Sequence, residues 1–193
     1  MREDIEWTRS WCTDCNDSTK PRILLIGDSI CDGYYDTVFE RLNSMYAVDK
    51  LVSSRSVESE VYKKQLELFL NDFKYDLISF NNGLHGFHLS KDEYSRAYEK
   101  ILHMFGNAKV ILTLSTPIMQ ADNLKCYNEK DNRIVIERNE SVQSIGVKYG
   151  LPVCDLYSAV DKISEIRAAD GVHYMEEGYK ILGNTLAEFI ENM

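Results

Sequence analysis

The chain is short of positive charge, of long apolar runs and of cysteine, and each shortage removes a class of protein. Its 193 residues carry 22 Lys and Arg against 31 Asp and Glu, a net charge of -9. Nucleic-acid binding draws on Lys and Arg that displace counterions from phosphates, so this balance argues against nucleic acid and anionic membrane as partners. A neutral or weakly charged small molecule, or a glycan, suits such a surface better. Residues 1–20 mix Arg, Glu, Asp and Trp without the apolar stretch of a signal peptide or a membrane span, which makes cytoplasmic residence the default expectation. The cysteines, Cys12, Cys15, Cys31, Cys126 and Cys154, form an odd set too sparse for a disulfide scaffold and are read as free thiols. Cys12 and Cys15 have C-x-x-C spacing, but no second pair with zinc-like spacing accompanies them, so no metal is expected. No internal repeat, low-complexity stretch or phosphate- or flavin-binding loop is present, which argues against a flavodoxin-like binding domain. The oligomeric state is left open.

What is present reads as one ordinary globular domain, 44% hydrophobic and 27% charged. Ile23-Leu24-Leu25-Ile26 runs into Gly27 as a short continuous apolar stretch, the pattern of a strand buried on both faces. Residues 47–52, 76–81 and 109–114 resemble it, and 151–154 supplies a short fifth strand. Between them, residues 35–42, 58–71, 91–105 and 128–149 space their apolar positions by three and four, as helices do, with Gly150 as the cap of the last. A final helix over 175–191 carries Tyr179, Leu182, Leu186 and Phe189 on one side. This alternation predicts right-handed crossovers and a five-stranded parallel sheet in a three-layer α/β/α sandwich. Residues 1–20, with Ile5, Trp7 and Trp11, are read as an N-terminal extension packing on the domain of residues 21–193.

In open parallel sheets chemistry sits beyond the carboxyl ends of the strands. After the first strand comes Gly27-Asp28-Ser29-Ile30, where a sharp turn delivers a serine to a helix start whose NH groups can stabilise an oxyanion. Ser29 would serve equally as a plain helix cap. Before the last helix stands Asp170-Gly171-Val172-His173. A serine hydroxyl is a weak nucleophile until a histidine takes its proton, and that histidine needs a carboxylate to fix its tautomer. Taken singly, Asp170 can be a turn cap and His173 a partly buried polar residue. Taken together and in this order, Ile23 to Ile30 and Asp170-Gly171-Val172-His173-Tyr174, followed by Glu177-Gly178-Tyr179, resemble the first and last blocks of the SGNH/GDSL hydrolase superfamily over nearly the whole chain. The α/β-hydrolases share the order of triad residues, but Gly27-Asp28-Ser29-Ile30-Cys31 lacks the second glycine of their G-x-S-x-G elbow.

The resemblance implies the flavodoxin-like SGNH fold, a triad of Ser29, Asp170 and His173, carboxylic ester substrates and no cofactor. It also implies an oxyanion hole built from the Ser29 NH, a glycine NH after the second strand and an asparagine amide after the third. Ser53-Ser54-Arg55-Ser56 has no glycine, which leaves the NH of Ser54 or of Arg55. Asn81-Asn82-Gly83-Leu84-His85-Gly86 places His85 where the asparagine stands, with Asn82 as the alternative donor, and resembles a subgroup with Gly-Leu-His in this block. A small domain without a lid insertion points to short acyl groups, such as acetyl on a carbohydrate. A reading of another class is a ligand- or glycan-binding module that keeps the triad and has lost turnover through its altered middle blocks. His88 is expected in an exposed loop and His103 on a helix surface. Tyr34, Tyr35, Phe87 and Tyr174 are expected either to stack on a sugar or acyl chain or to pack in the core.

Overall fold

The computed structural model describes residues 3–193. In chain order its elements are β1 (Thr8–Trp11), β2 (Arg22–Gly27), α1 (Ser29–Leu42), β3 (Ala47–Ser53), α2 (Glu60–Asp72), β4 (Leu77–Phe80), α3 (Lys91–Leu102), β5 (Lys109–Thr113), β6 (Met119–Gln120), β7 (Asn123–Tyr127), α4 (Glu129–Tyr149), β8 (Val153–Cys154), α5 (Leu156–Val160) and α6 (Glu176–Glu191). Strand β2 shows why the sheet is central. Ile23 and Leu25 face one apolar cluster with α1, α5 and α6, while Leu24 and Ile26 face another with α2, α3 and α4. A strand with no polar face is stable only between two helical layers, and each face of this one is covered.

The sheet order is β1-β3-β2-β4-β5-β8. The five strands from β3 to β8 are parallel, in agreement with the α/β expectation. The count of five is corrected to six. β1 adds an antiparallel edge to β3, with Thr8 opposite Ser53 and Trp11 opposite Lys50. Its sequence, Thr-Arg-Ser-Trp, is polar and mostly exposed because an edge strand needs only its backbone to pair. Part of the N-terminal extension is thus joined to the sheet, and residues 1 and 2 lie outside the described residues. Trp7 packs against the α1 side of the core, whereas Ile5 and Trp11 are exposed.

Helix α1 begins at Ser29, six residues before the apolar pattern marks it, because the Asp28 side chain caps it by accepting the Ile30 NH. The expected helix over 91–105 divides into α3 and a 3-10 turn, His103–Phe105. Gly150 closes α4 in the left-handed conformation, at φ 62° and ψ 33°, as its position predicts. The small hairpin of β6 and β7 was not visible as strands in the sequence, since β7 is polar and largely exposed. It leads from β5 into α4, on the same side of the sheet as the ends of β2, β3 and β4.

Candidate active site

Gly27 ends β2 in a turn that admits no side chain, since a Cβ there would stand 2.4 Å from the Cβ of Cys31. The chain therefore passes directly from strand to helix, with Ser29 as the first helical residue. Its NH has no carbonyl four residues earlier in the helix to bond, and it points from the positive end of the helix dipole.

The loop between the 3-10 turn at Ser164–Ile166 and α6 is folded as a narrow return. Arg167 and Tyr174 pair antiparallel, and the Ala168 NH donates to the His173 carbonyl at 2.9 Å. One oxygen of Asp170 accepts the NH groups of Val172 and His173, both at 2.9 Å, which aims the other at His173 Nδ1, 2.6 Å away. On the far side of the ring, Nε2 lies 2.8 Å from Ser29 Oγ. A carboxylate at Nδ1 selects the tautomer with its proton there, so Nε2 is left to accept the serine proton. Partial burial pushes the Asp170 carboxyl up, but the His173 ring and the two NH groups outweigh it and hold the group below its ordinary range. A lowered folded-state pKa means that this contact stabilises the protein above the unfolded pKa and is lost as pH falls through the lowered one. The side chains of His173 and Asp170 are 41% and 52% exposed, so the three residues open to solvent.

The hairpin braces this loop. Met119 NH donates to the Gly171 carbonyl at 2.8 Å, and buried Arg167 donates to the Pro117 carbonyl at 2.7 Å while lying over the Tyr174 ring. Gly171 sits at φ +75°, and a Cβ there would come within 2.3 Å of the Met119 carbonyl oxygen. Gly171→Ala is therefore expected to shift the loop and cut turnover of a simple ester by roughly 10²-fold, since misplacement of about 1 Å is enough for that. Steady-state kinetics beside a melting curve check it; an unchanged kcat would mean that the loop relaxes without moving His173.

The middle blocks are arranged differently from the two ends. The Ser54 NH donates to the Trp7 carbonyl at 3.1 Å and the Arg55 NH to the Ser53 hydroxyl at 3.1 Å, so both backbone donors read from the sequence have partners within the protein. Asn82 is buried and spends one amide hydrogen on the Arg55 carbonyl at 2.9 Å. His85 Nδ1 faces the Glu3 carboxylate at 3.0 Å. Tyr34, Tyr35 and Tyr174 are buried and serve the core, while Phe87 is half-buried against Arg138. His88 pairs with Glu58 in an exposed loop, and His103 is exposed beside Tyr149.

Arg138 was not found by sequence reasoning. It lies in α4, fully buried, and donates to the carbonyls of Gly83 (3.0 Å), His85 (2.6 Å) and Gly86 (2.6 Å), with Tyr94 and Phe87 against its guanidinium. The signal was its phase, since Asn132, Val135, Arg138, Asn139, Val142 and Ile145 form one buried stripe of α4. Asn132 and Asn139 use that stripe to hold the backbone after β5, at the NH groups of Ile118 and Ser115.

The chain belongs to the GDSL-like lipase/acylhydrolase family, whose model matches residues 65–186, a stretch that takes in the turn after β4 and the Asp170–His173 loop. It is thereby an ester-hydrolysing enzyme. No curated protein sequence matches it. Among solved structures it is similar to a lipase/acylhydrolase from Enterococcus faecalis, at 24% identity and a TM-score of 0.70, over 89% of this chain and 96% of that one. It is also similar to Est24, a carbohydrate acetylesterase from Sinorhizobium meliloti, at 14% identity and a TM-score of 0.74, over 90% and 99% of the two chains. An aryl esterase from M. smegmatis matches at 15% identity and a TM-score of 0.72, over 89% and 99%. These likenesses establish the SGNH hydrolase fold. Among the described residues no helix is long and apolar enough to cross a membrane.

Proposed function

We propose that this chain is a serine esterase that cleaves carboxylic esters through an acyl-enzyme on Ser29. The observation that carries the reading is the continuous pair of contacts from Asp170 through His173 to Ser29, 2.6 Å and 2.8 Å long. His173 Nε2 takes the hydroxyl proton as Ser29 Oγ bonds to the ester carbonyl carbon, and Asp170 stabilises the imidazolium. As the tetrahedral intermediate collapses, the carbon–oxygen bond to the alcohol breaks and His173 returns the proton to the leaving oxygen. Water then attacks the acyl-enzyme by the same route in reverse, releasing the acid and restoring Ser29.

For the oxyanion, the Ser29 NH and Asn82 are the donors we assign. Asn82 has two amide hydrogens and spends one on Arg55, whereas the His85 ring is already turned to the Glu3 carboxylate through Nδ1. The substrate we favour carries a short acyl group, such as acetyl on a carbohydrate. Likeness to Est24, described as a carbohydrate acetylesterase, and the shortness of the β6–β7 hairpin that braces the Asp170–His173 loop support this choice.

The test is labelling by a fluorophosphonate probe together with hydrolysis of a p-nitrophenyl acyl series. Ser29 is expected to carry the label, and the acetate to be turned over with roughly tenfold higher kcat/KM than the octanoate. Octanoate turned over as well as acetate would defeat the short-acyl assignment. A protein neither labelled nor active would instead favour the binding module, a reading to which the committed Ser54 and Arg55 NH groups lend support.

A further inference from the structure

The turn from Gly83 to Phe87 has a polarity that the triad does not use. Arg138 draws three of its carbonyls, those of Gly83, His85 and Gly86, toward α4. In a trans peptide the N–H points opposite to the C=O, so the NH groups of Leu84, Gly86 and Phe87 are turned the other way. On that outer side a carboxylate is already seated. Glu3 Oε1 lies 3.0 Å from His85 Nδ1 and accepts the Gly86 NH at 3.4 Å, and Oε2 lies 3.1 Å from the same ring nitrogen. One peptide unit thus stands between two opposite charges: its oxygen, on His85, takes a 2.6 Å bond from Arg138, and its NH, on Gly86, faces Glu3. A carbonyl bonded to a guanidinium makes the NH of its own peptide a stronger donor. Arg138 is buried, and its hydrogen bonds among the described residues run to these carbonyls, with the Glu58 charge acting on it from outside them, so the turn carries part of the guanidinium charge outward.

We propose that the Gly83–Phe87 turn is a carboxylate-binding subsite, which Glu3 fills within the chain and which a carboxylate of the substrate or of the released acid takes when Glu3 leaves. Its place beside the reacting centre follows from the sheet. β4 neighbours β2, the Asn81 NH donates to the Ile26 carbonyl, and Leu84 lines a small pocket with Asp28 and Ile30, the residues on either side of Ser29. Glu3 is replaceable because its side chain is 43% exposed and its bonds to the turn are made by the carboxylate at its tip. As a part of the active site the subsite rests on the esterase reading; as a binding site it does not.

The experiment follows the Gly86 amide by NMR while sodium succinate or sodium acetate is added at constant ionic strength, in the wild type and in Glu3→Ala. In the variant the amide is expected to move saturably, at roughly tenfold lower carboxylate concentration than in the wild type, where Glu3 competes at a high effective concentration. An amide that stays still in Glu3→Ala, or one that saturates alike in both proteins, overturns the proposal. Turnover then separates the two sources. A substrate carboxylate predicts that Glu3→Ala raises kcat/KM for p-nitrophenyl hydrogen succinate relative to the acetate, and a product carboxylate predicts that acetate becomes a competitive inhibitor of the variant. Binding at Gly86 with neither effect would place the subsite outside the active site and refute its role there. Because the amide signal needs no turnover, it remains readable even if the esterase reading fails.

Discussion

Ser29→Ala is expected to lower kcat for p-nitrophenyl acetate by about 10⁴-fold or more, with little change in melting temperature. In the proposed mechanism the serine hydroxyl bonds to the carbonyl carbon, and among the described residues it is the hydroxyl bonded to His173 Nε2, so the loss is that of the covalent route itself. Stability should hold because Ser29 is only half-buried and its hydroxyl bonds to a solvent-exposed ring. Asp170→Asn gives the informative comparison. An amide oxygen can still accept the Val172 and His173 NH groups, so the loop keeps its fold. Its NH2, however, now faces His173 Nδ1 and forces the proton onto Nε2, where the ring can no longer take one from Ser29. A fall of roughly 10²–10⁴-fold is expected, the lower figure reflecting the access of water to a carboxylate this exposed. The double variant should be no worse than Ser29→Ala alone, since residues acting as one unit do not add. Single losses that multiplied would mean that Asp170 acts apart from Ser29.

How far the sequence could be read depended on whether an element's job was done by side chains in a pattern or by backbone and single contacts. β2 was legible because burial on both faces demands Ile23 to Ile26 without a polar break, and α6 because one side of it is apolar. Ser29 was legible because it stands directly after β2, and Asp170 and His173 because a carboxylate and an imidazole share one short loop ahead of α6. β1 was not, since its pairing with β3 uses main-chain groups that Thr8, Arg9 and Ser10 do not advertise. That strand then decides the second block, because the Trp7 carbonyl just before it takes the Ser54 NH. Arg138 was hidden for a different reason. Flanked by Glu137, Asn139 and Glu140, it reads as part of a solvated face, and only three carbonyls 52 to 55 residues away explain its burial.

That burial makes Arg138→Ala the substitution expected to cost the most stability. Truncation leaves the carbonyls of Gly83, His85 and Gly86 without their donor and opens space between Tyr94 and Phe87. Buried groups stripped of a charged partner cost about 3–5 kcal/mol together, which at about 2–4 °C per kcal/mol for a chain of this size lowers the melting temperature by roughly 6–20 °C. The net loss is less than the sum of three bonds, because burying a guanidinium is itself unfavourable; burial pushes its pKa down, with Tyr94 and Glu58 offsetting part of that. Arg138→Met separates the two contributions. Methionine fills most of the volume and needs no desolvation, so it should recover part of the lost stability while still leaving the turn after β4 unheld. If Arg138 positions the turn that carries His85 and follows Asn82, the Met variant melts above the Ala variant yet shares its fall in kcat, with KM changing less. A Met variant that regains activity along with stability would make Arg138 a packing residue and leave the geometry of the turn to Gly83 and Gly86, whose close approach to Ser115 and Ser56 already confines it.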